Sequence, residues 1–358
     1  MFVISHQIMI KTINSWRGLA ALNVVMFHCG TGIWSAGQSG VVFFFLSSAF
    51  LLAMKYPFDS LTARQYGRVF LNRAARIYPL HWLAIALMIM ITLTLIGDKV
   101  KWGSAILNML LIQSWFPQHD VRYGINPVVW FLGVLVFCYL FYPLLAHWMR
   151  RWRLRHKVLL GVIIAIVVAV ILVPLDIPGR EIVLNCPLSH LPDFIAGMSV
   201  WHLCEMLKQR YPHVGYSTAT CLELSALLLI AGFIAVNETT TLLKPWEDDL
   251  IWILPEGLLL LVFAFLNGSE GAIGRFLSSR PFQWLGDISF EVFILQFVVF
   301  QLYNYVLAPL VGHFGYDIYG MRAVLIWPLL FAFCWLANRI FTRPVSRYIK
   351  QRINHLPI

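Results

Sequence analysis

The sequence predicts an all-α polytopic membrane protein of about ten transmembrane helices, with both termini cytoplasmic. Three observations carry this prediction. Of 358 residues, 59% are hydrophobic and only 12% are charged, whereas a soluble domain carries about 25% charge. The apolar residues gather into runs near the ~20 residues needed to cross a hydrocarbon core. The lysines and arginines crowd into alternate loops. On this reading residues 1–358 form one transmembrane domain with no soluble domain and no internal repeat. The apolar start is too short for a secretory leader and no small-residue cleavage site follows it.

Taken in order, the spans fall near 14–33, 38–54, 77–97, 127–147, 158–175, 187–206, 217–236, 249–267, 283–309 and 321–341. An apolar stretch near 103–114 is too short to cross and is expected to lie at the interface or re-enter. Orientation follows from the cations, which are enriched in cytoplasmic loops. The loop 55–76, the loop after the fourth span, the loops around Lys208 and Arg275, the C-terminal tail, Lys11 and Arg17 together hold 21 of the 27 lysines and arginines. That places both ends inside and agrees with an even number of spans. The net charge of +10 follows this topology and does not point to nucleic acid. The six cysteines form no CxxC pair and read as packing residues.

The first span, SWRGLAALNVVMFH, carries Arg17 and His28. Eleven positions bring them to within about 20° of one helix face and set them roughly 16 Å apart along the axis. Ala20, Ala21 and Val24 lie between them, small enough for a narrow lane or a close neighbouring helix. Ionisable groups at membrane depth point to a pathway or a site. The competing reading has Arg17 snorkelling and His28 packed in the core. Arg73 and Arg76 share a helix face at i, i+3, and two guanidinium groups there suit a phosphate or pyrophosphate. Their competing role is an anchor on lipid phosphates. Ser47 and Ser48 lie mid-span, where serines support close packing, with no base or oxyanion hole visible beside them. Trp130 reads as an interfacial belt residue or as a platform for a sugar. Asp193 and Glu256 are candidates to orient the His28 ring, or mere helix-end polarity. Asp287 and Glu291 read as ion pairs at the membrane edge or as contacts to the arginines.

Several segments, in order, resemble the acyltransferase 3 family of integral membrane acyltransferases. SWRGLAALNVVMFH resembles its opening Arg…His motif. GVVFFFLSSAFLL resembles its FFxxSG motif, with Ala49 in place of Gly. Arg73 to Arg76 match RxxR. VVWFLGVLVFCYLFYPLL, LPDFIAGM, FQWLGDISFEVFILQ and RPVSRYIKQR resemble later segments. The chain departs from the pattern at Leu135 and Val136, where many members have a glutamate pair, at Gln296, where many have His, and at Glu291, where a small polar residue is usual.

The resemblance implies transfer of an acyl group, most often acetyl, from cytoplasmic acyl-CoA to a hydroxyl of a glycan or glycolipid, in the bacterial cytoplasmic (inner) membrane. It implies acetyl-CoA or another acyl-CoA as donor, no metal, and a partner acyltransferase or glycan-assembly protein that finishes the transfer. It implies His28 and Arg17 as catalytic residues, Arg73 and Arg76 as donor-binding residues, and Ser47, Ser48 and Trp130 as substrate contacts. His28 acts either as general base or as transient acyl acceptor. The alternative is a transporter or flippase for lipid-linked sugar, which calls for inverted repeats and broken helices. Pro143, Pro192 and Pro328 do interrupt spans, without visible symmetry. A third reading has a cytoplasm-facing enzyme acting on a small molecule.

Overall fold

A computed structural model describes residues 10–29, 36–56, 63–149, 151–172, 174, 175, 177–240, 246, 249–313 and 318–355. Helices form along the apolar runs because a backbone in lipid has to satisfy its own polar groups. The chain opens with α1 (Lys11–His28), α2 (Gly37–Lys55) and α3 (Ala63–Ile91), the last continuing as a π-helical turn over Thr92–Ile96. Short α4 (Trp102–Met109) and α5 (His119–Arg122) precede α6 (Trp130–Met149) and α7 (Leu154–Leu172). Then come α8 (Ile177–Leu184), α9 (Leu191–Arg210), α10 (Tyr216–Thr239) and α11 (Leu250–Phe265). The last third holds α12 (Ala272–Leu277), α13 (Arg280–Asp287), α14 (Ser289–Leu302), α15 (Ala308–His313), α16 (Ile318–Ala337) and α17 (Arg343–Asn354). There is no strand among the described residues.

A helix occupies each of the ten expected windows, but only seven helical stretches among the described residues are both long and apolar enough to cross a membrane. The other three windows hold α1, α9 and α11. The first two carry polar and charged residues along their length, and α11 has 16 residues. All three pack against α2, which buries 15 of its 19 residues. A helix shielded from lipid by its neighbours need not be apolar all round, whereas α7 and α10, which bury few of their residues, each carry an 18-residue stretch of mean hydropathy above 2.

Close approach at the centre depends on glycine. A Cβ on Gly40 would lie 2.6 Å from the Ala20 carbonyl oxygen, and one on Gly197 would overlap the Leu46 carbonyl. These contacts seat α1 and α9 on α2. Of the two sequence readings for Ala20 and Ala21, a lane or a close helix, Ala20 takes the second: it is buried with its carbonyl against Gly40 of α2, and Ala21 is fully buried.

The expected apolar helix near 103–114 stops at Met109. Leu111 turns the chain with φ 60°, a conformation costly for a branched residue. Gln113 and Ser114 then donate to the Val129 and Trp130 carbonyls at 3.0 Å each, and Asn126 donates to the Ile294 carbonyl at 3.0 Å. The loop thereby fixes the start of α6 against α14.

Two prolines leave carbonyls that neighbours take up. Pro79 removes the amide that would bond Ala75, and Ser346 of α17 donates to that carbonyl at 3.2 Å. Pro143 does the same for Tyr139, whose carbonyl accepts from the Tyr66 hydroxyl. Side chains that re-satisfy freed carbonyls are how membrane helices tolerate proline. Here they pin α17 to α3 and α3 to α6 around Arg73 and Arg76.

Candidate functional site

Arg17 of α1 and Arg73 and Arg76 of α3 line one pocket with Ser48, Tyr139 and a wall of apolar side chains from α2, α6 and α14. It encloses about 560 Å³ together with its open mouth. The Arg17 guanidinium carbon lies 5.7 Å from the Phe44 ring centroid, and that of Arg73 lies 5.5 Å from Tyr139. Among the described residues none of the three arginines forms an ion pair, although Glu291 and Asp287 lie within electrostatic reach of Arg76. Asp287 instead pairs with Arg343 at 3.1 Å, and buried Glu291 accepts from Asn338 at 2.7 Å. Lys350 lies within electrostatic reach of Arg76, Arg73 and Lys55. Three guanidinium groups held without carboxylate partners favour an anion with several negative oxygens. Placing Arg17 here associates it with Arg73 and Arg76 rather than with His28.

His28 lies in a second pocket of about 280 Å³, lined by Val24, Phe27, Gly37, Gln38, Val41, Val128, Trp130 and Phe293. Among the described residues no Asp, Glu, Lys or Arg lines it. The His28 Nδ1 lies 3.1 Å from Gln296 Oε1. The Gln296 amide nitrogen donates to the Phe293 carbonyl at 2.8 Å, so its oxygen is the atom turned to the ring. An amide oxygen only accepts, so Nδ1 donates to it; the ring also hydrogen-bonds the Val24 backbone, and in the neutral Nδ1–H tautomer Nε2 keeps its lone pair. Gln296, a departure from the family pattern, is thus the orienting partner that sequence reasoning did not assign. It lies 268 positions from His28, and no local signal marks it.

The remaining candidates fall elsewhere. Ser47 is fully buried and donates to the Phe44 carbonyl at 3.3 Å, while Ser48 faces the arginines. Glu256 is buried and bonded with Ser39, which also accepts from Asn23 at 2.9 Å. Asp193 accepts from or donates to His190 Nδ1 at 2.8 Å, and Asp249 Oδ2 lies 3.4 Å from the same atom. Neither Asp193 nor Glu256 meets His28. His190 donates through Nε2 to the Leu184 carbonyl at 2.6 Å. His190, Asp193 and Asp249 have donor atoms within 4.8 Å of one another, a grouping that no spacing in the sequence suggested. Both carboxylates sit at helix starts, on α9 and α11, where the helix dipole favours negative charge. The His190 ring stacks between Phe45 at 4.5 Å and Trp130 at 5.6 Å, so the cluster backs the Trp130 wall of the His28 pocket.

The acyltransferase domain of the acyltransferase 3 family matches residues 10–342. Acyltransferase MdmB of Streptomyces mycarofaciens is 35% identical over 124 residues, 33% of this chain and 31% of the relative. ORF330 of Acidianus two-tailed virus, provisionally named an acetyltransferase, is 29% identical over 135 residues, 36% of this chain and 38% of the relative. The matched segments thus span about a third of each relative's length. No solved structure matches the chain.

Proposed function

The chain belongs to the acyltransferase 3 family, and on that premise we propose that it moves an acyl group, acetyl first among them, from acyl-CoA to a hydroxyl of a glycan or glycolipid in the bacterial cytoplasmic membrane. The observation that carries this reading is the pairing of two pockets, one with three arginines free of ion pairs and one with a histidine whose Nε2 is left basic. The phosphates of the donor bind Arg73, Arg76 and Arg17, with Lys55 and Lys350 at the mouth. The crowding of lysines and arginines into alternate loops supports both termini lying inside, and on that reading the mouth opens to the cytoplasm, where acyl-CoA is made. The acceptor enters the His28 pocket and stacks on Trp130.

In the transfer, His28 Nε2 takes the proton of the acceptor hydroxyl as its oxygen attacks the thioester carbonyl. The C–S bond then breaks, and the proton passes from the imidazolium to the departing CoA thiolate. The products are the O-acyl acceptor and free CoA. The Gln296 contact at Nδ1 leaves Nε2 as the nitrogen for this role, and a nitrogen so held serves a general base or an acyl acceptor alike. The test uses purified protein in nanodiscs with labelled acetyl-CoA and an oligosaccharide acceptor. Label in the oligosaccharide is expected; CoA binding that is unchanged in Arg73→Ala and Arg76→Ala would overturn the donor assignment.

A further inference from the structure

Phe44 of α2, Phe131 of α6 and Phe293 of α14 stand between the two pockets. All three are buried, at 3–4% exposure. Each ring meets the other two, with centroids 5.9 Å apart for Phe44 and Phe131, 5.5 Å for Phe44 and Phe293, and 5.0 Å for Phe131 and Phe293. On one side Arg17 lies over Phe44. On the other, Phe293 reaches into the pocket of His28, and Phe297, one turn further along α14, packs 5.2 Å from the His28 ring. Phe293 is the residue that lines both pockets. The rings come from three helices, and of the three only Phe44 lies under an arginine, so Phe131 and Phe293 are the ones to exchange.

A group that joins the two pockets has to fit the gap these rings leave or turn one aside. Tilted and edge-on aromatic packing of this kind resists displacement, because the rings are close-packed against one another. The chamber beyond is small and walled by Val24, Val41 and Val128, so a long chain there would take the room of the acceptor. We propose that Phe44, Phe131 and Phe293 select the acyl group, admitting a short acyl thioester from the arginine pocket to His28 and turning away a long one. The proposal rests on the donor reading above, with CoA phosphates on the arginines. It adds three specificity-determining residues for the transfer.

The experiment follows release of CoA thiol from acetyl-, butyryl- and octanoyl-CoA by the protein in nanodiscs, with maltotriose and chitotriose as acceptors, and measures CoA binding separately by calorimetry. Phe293→Ala and Phe131→Ala are expected to raise the octanoyl-to-acetyl ratio at least tenfold while CoA affinity stays within twofold. Phe293→Trp is expected to lower acetyl transfer at least tenfold with CoA affinity intact. Phe131→Leu keeps the core filled where an alanine variant does not fold, and its ratio should rise in the same direction. An unmoved ratio in folded, active Phe131→Leu overturns the selection. Binding of CoA by the unaltered protein tells the two readings apart: CoA bound with an unmoved ratio refutes the selection alone, and no CoA bound refutes the donor reading and the selection with it.

Discussion

Replacing Gln296 tests whether His28 is a positioned base or a packed ring. Gln296 is fully buried, its nitrogen is held by the Phe293 carbonyl, and its oxygen meets His28 Nδ1 at 3.1 Å. Gln296→Met keeps the length of the side chain and removes the acceptor. The loss is one neutral hydrogen bond, worth about 0.5–1.5 kcal/mol. At 1.36 kcal/mol per factor of ten, that predicts a fall in kcat of about two- to thirteen-fold as the ring samples the wrong tautomer. His28→Ala removes the base itself and should cost about 10²–10⁴. Gln296→Glu places a carboxylate against Nδ1–H in a pocket that no other charged side chain lines. It stabilises the imidazolium, so the acid limb of the pH–rate profile moves to higher pH. A residue that only fills space would not move that limb. The assay is kcat and KM for acetyl-CoA across pH 5–9, with protein level and thermal melting as controls. The KM for acetyl-CoA should hold in all three variants, because the arginines lie in the other pocket. An unchanged kcat in Gln296→Met together with an unmoved pH profile in Gln296→Glu would refute the tautomer argument, and substantial turnover in His28→Gln would refute the base.

Three further outcomes are expected. Arg73→Ala or Arg76→Ala should weaken acetyl-CoA binding about ten- to hundred-fold, the worth of a charge-assisted hydrogen bond at 1.5–3 kcal/mol, and the affinity of the unaltered protein should fall as salt rises from 50 to 500 mM; calorimetry measures both. Gly197→Val should lower stability by at least ~1–3 kcal/mol, the cost of overpacking, because its Cβ would overlap the Leu46 carbonyl, seen as a lower melting temperature and poor expression. A phosphatase reporter joined after Ile358 should stay inactive and a cytoplasmic reporter there should be active; the opposite result would overturn both termini lying inside.

The sequence by itself determined the class of the molecule and the rough place of every long helix. That follows because a backbone surrounded by lipid closes its hydrogen bonds within the helix, so an apolar run of sufficient length has one outcome. It also determined that Arg73 and Arg76 share a face, since i, i+3 is a local property of any helix. Whatever depended on which helices touch was decided only by the tertiary structure. Arg17 joined the α3 arginines, Gln296 met His28 across 268 positions, and His190 and Asp193 met Asp249. The same holds for α1, α9 and α11, whose polar residues are tolerated because α2 and its neighbours enclose them. Ala20 shows the limit of a local pattern: smallness on one face licenses either a lane or a close helix, and it is Gly40, on another helix, that packs close there. Helical period is written within a dozen residues, while helix partners are set by the fit of whole surfaces. For that reason nothing along the chain links Phe44, in the FFxxSG-like segment, to Phe131 and Phe293, and the three rings meet only once three helices are packed.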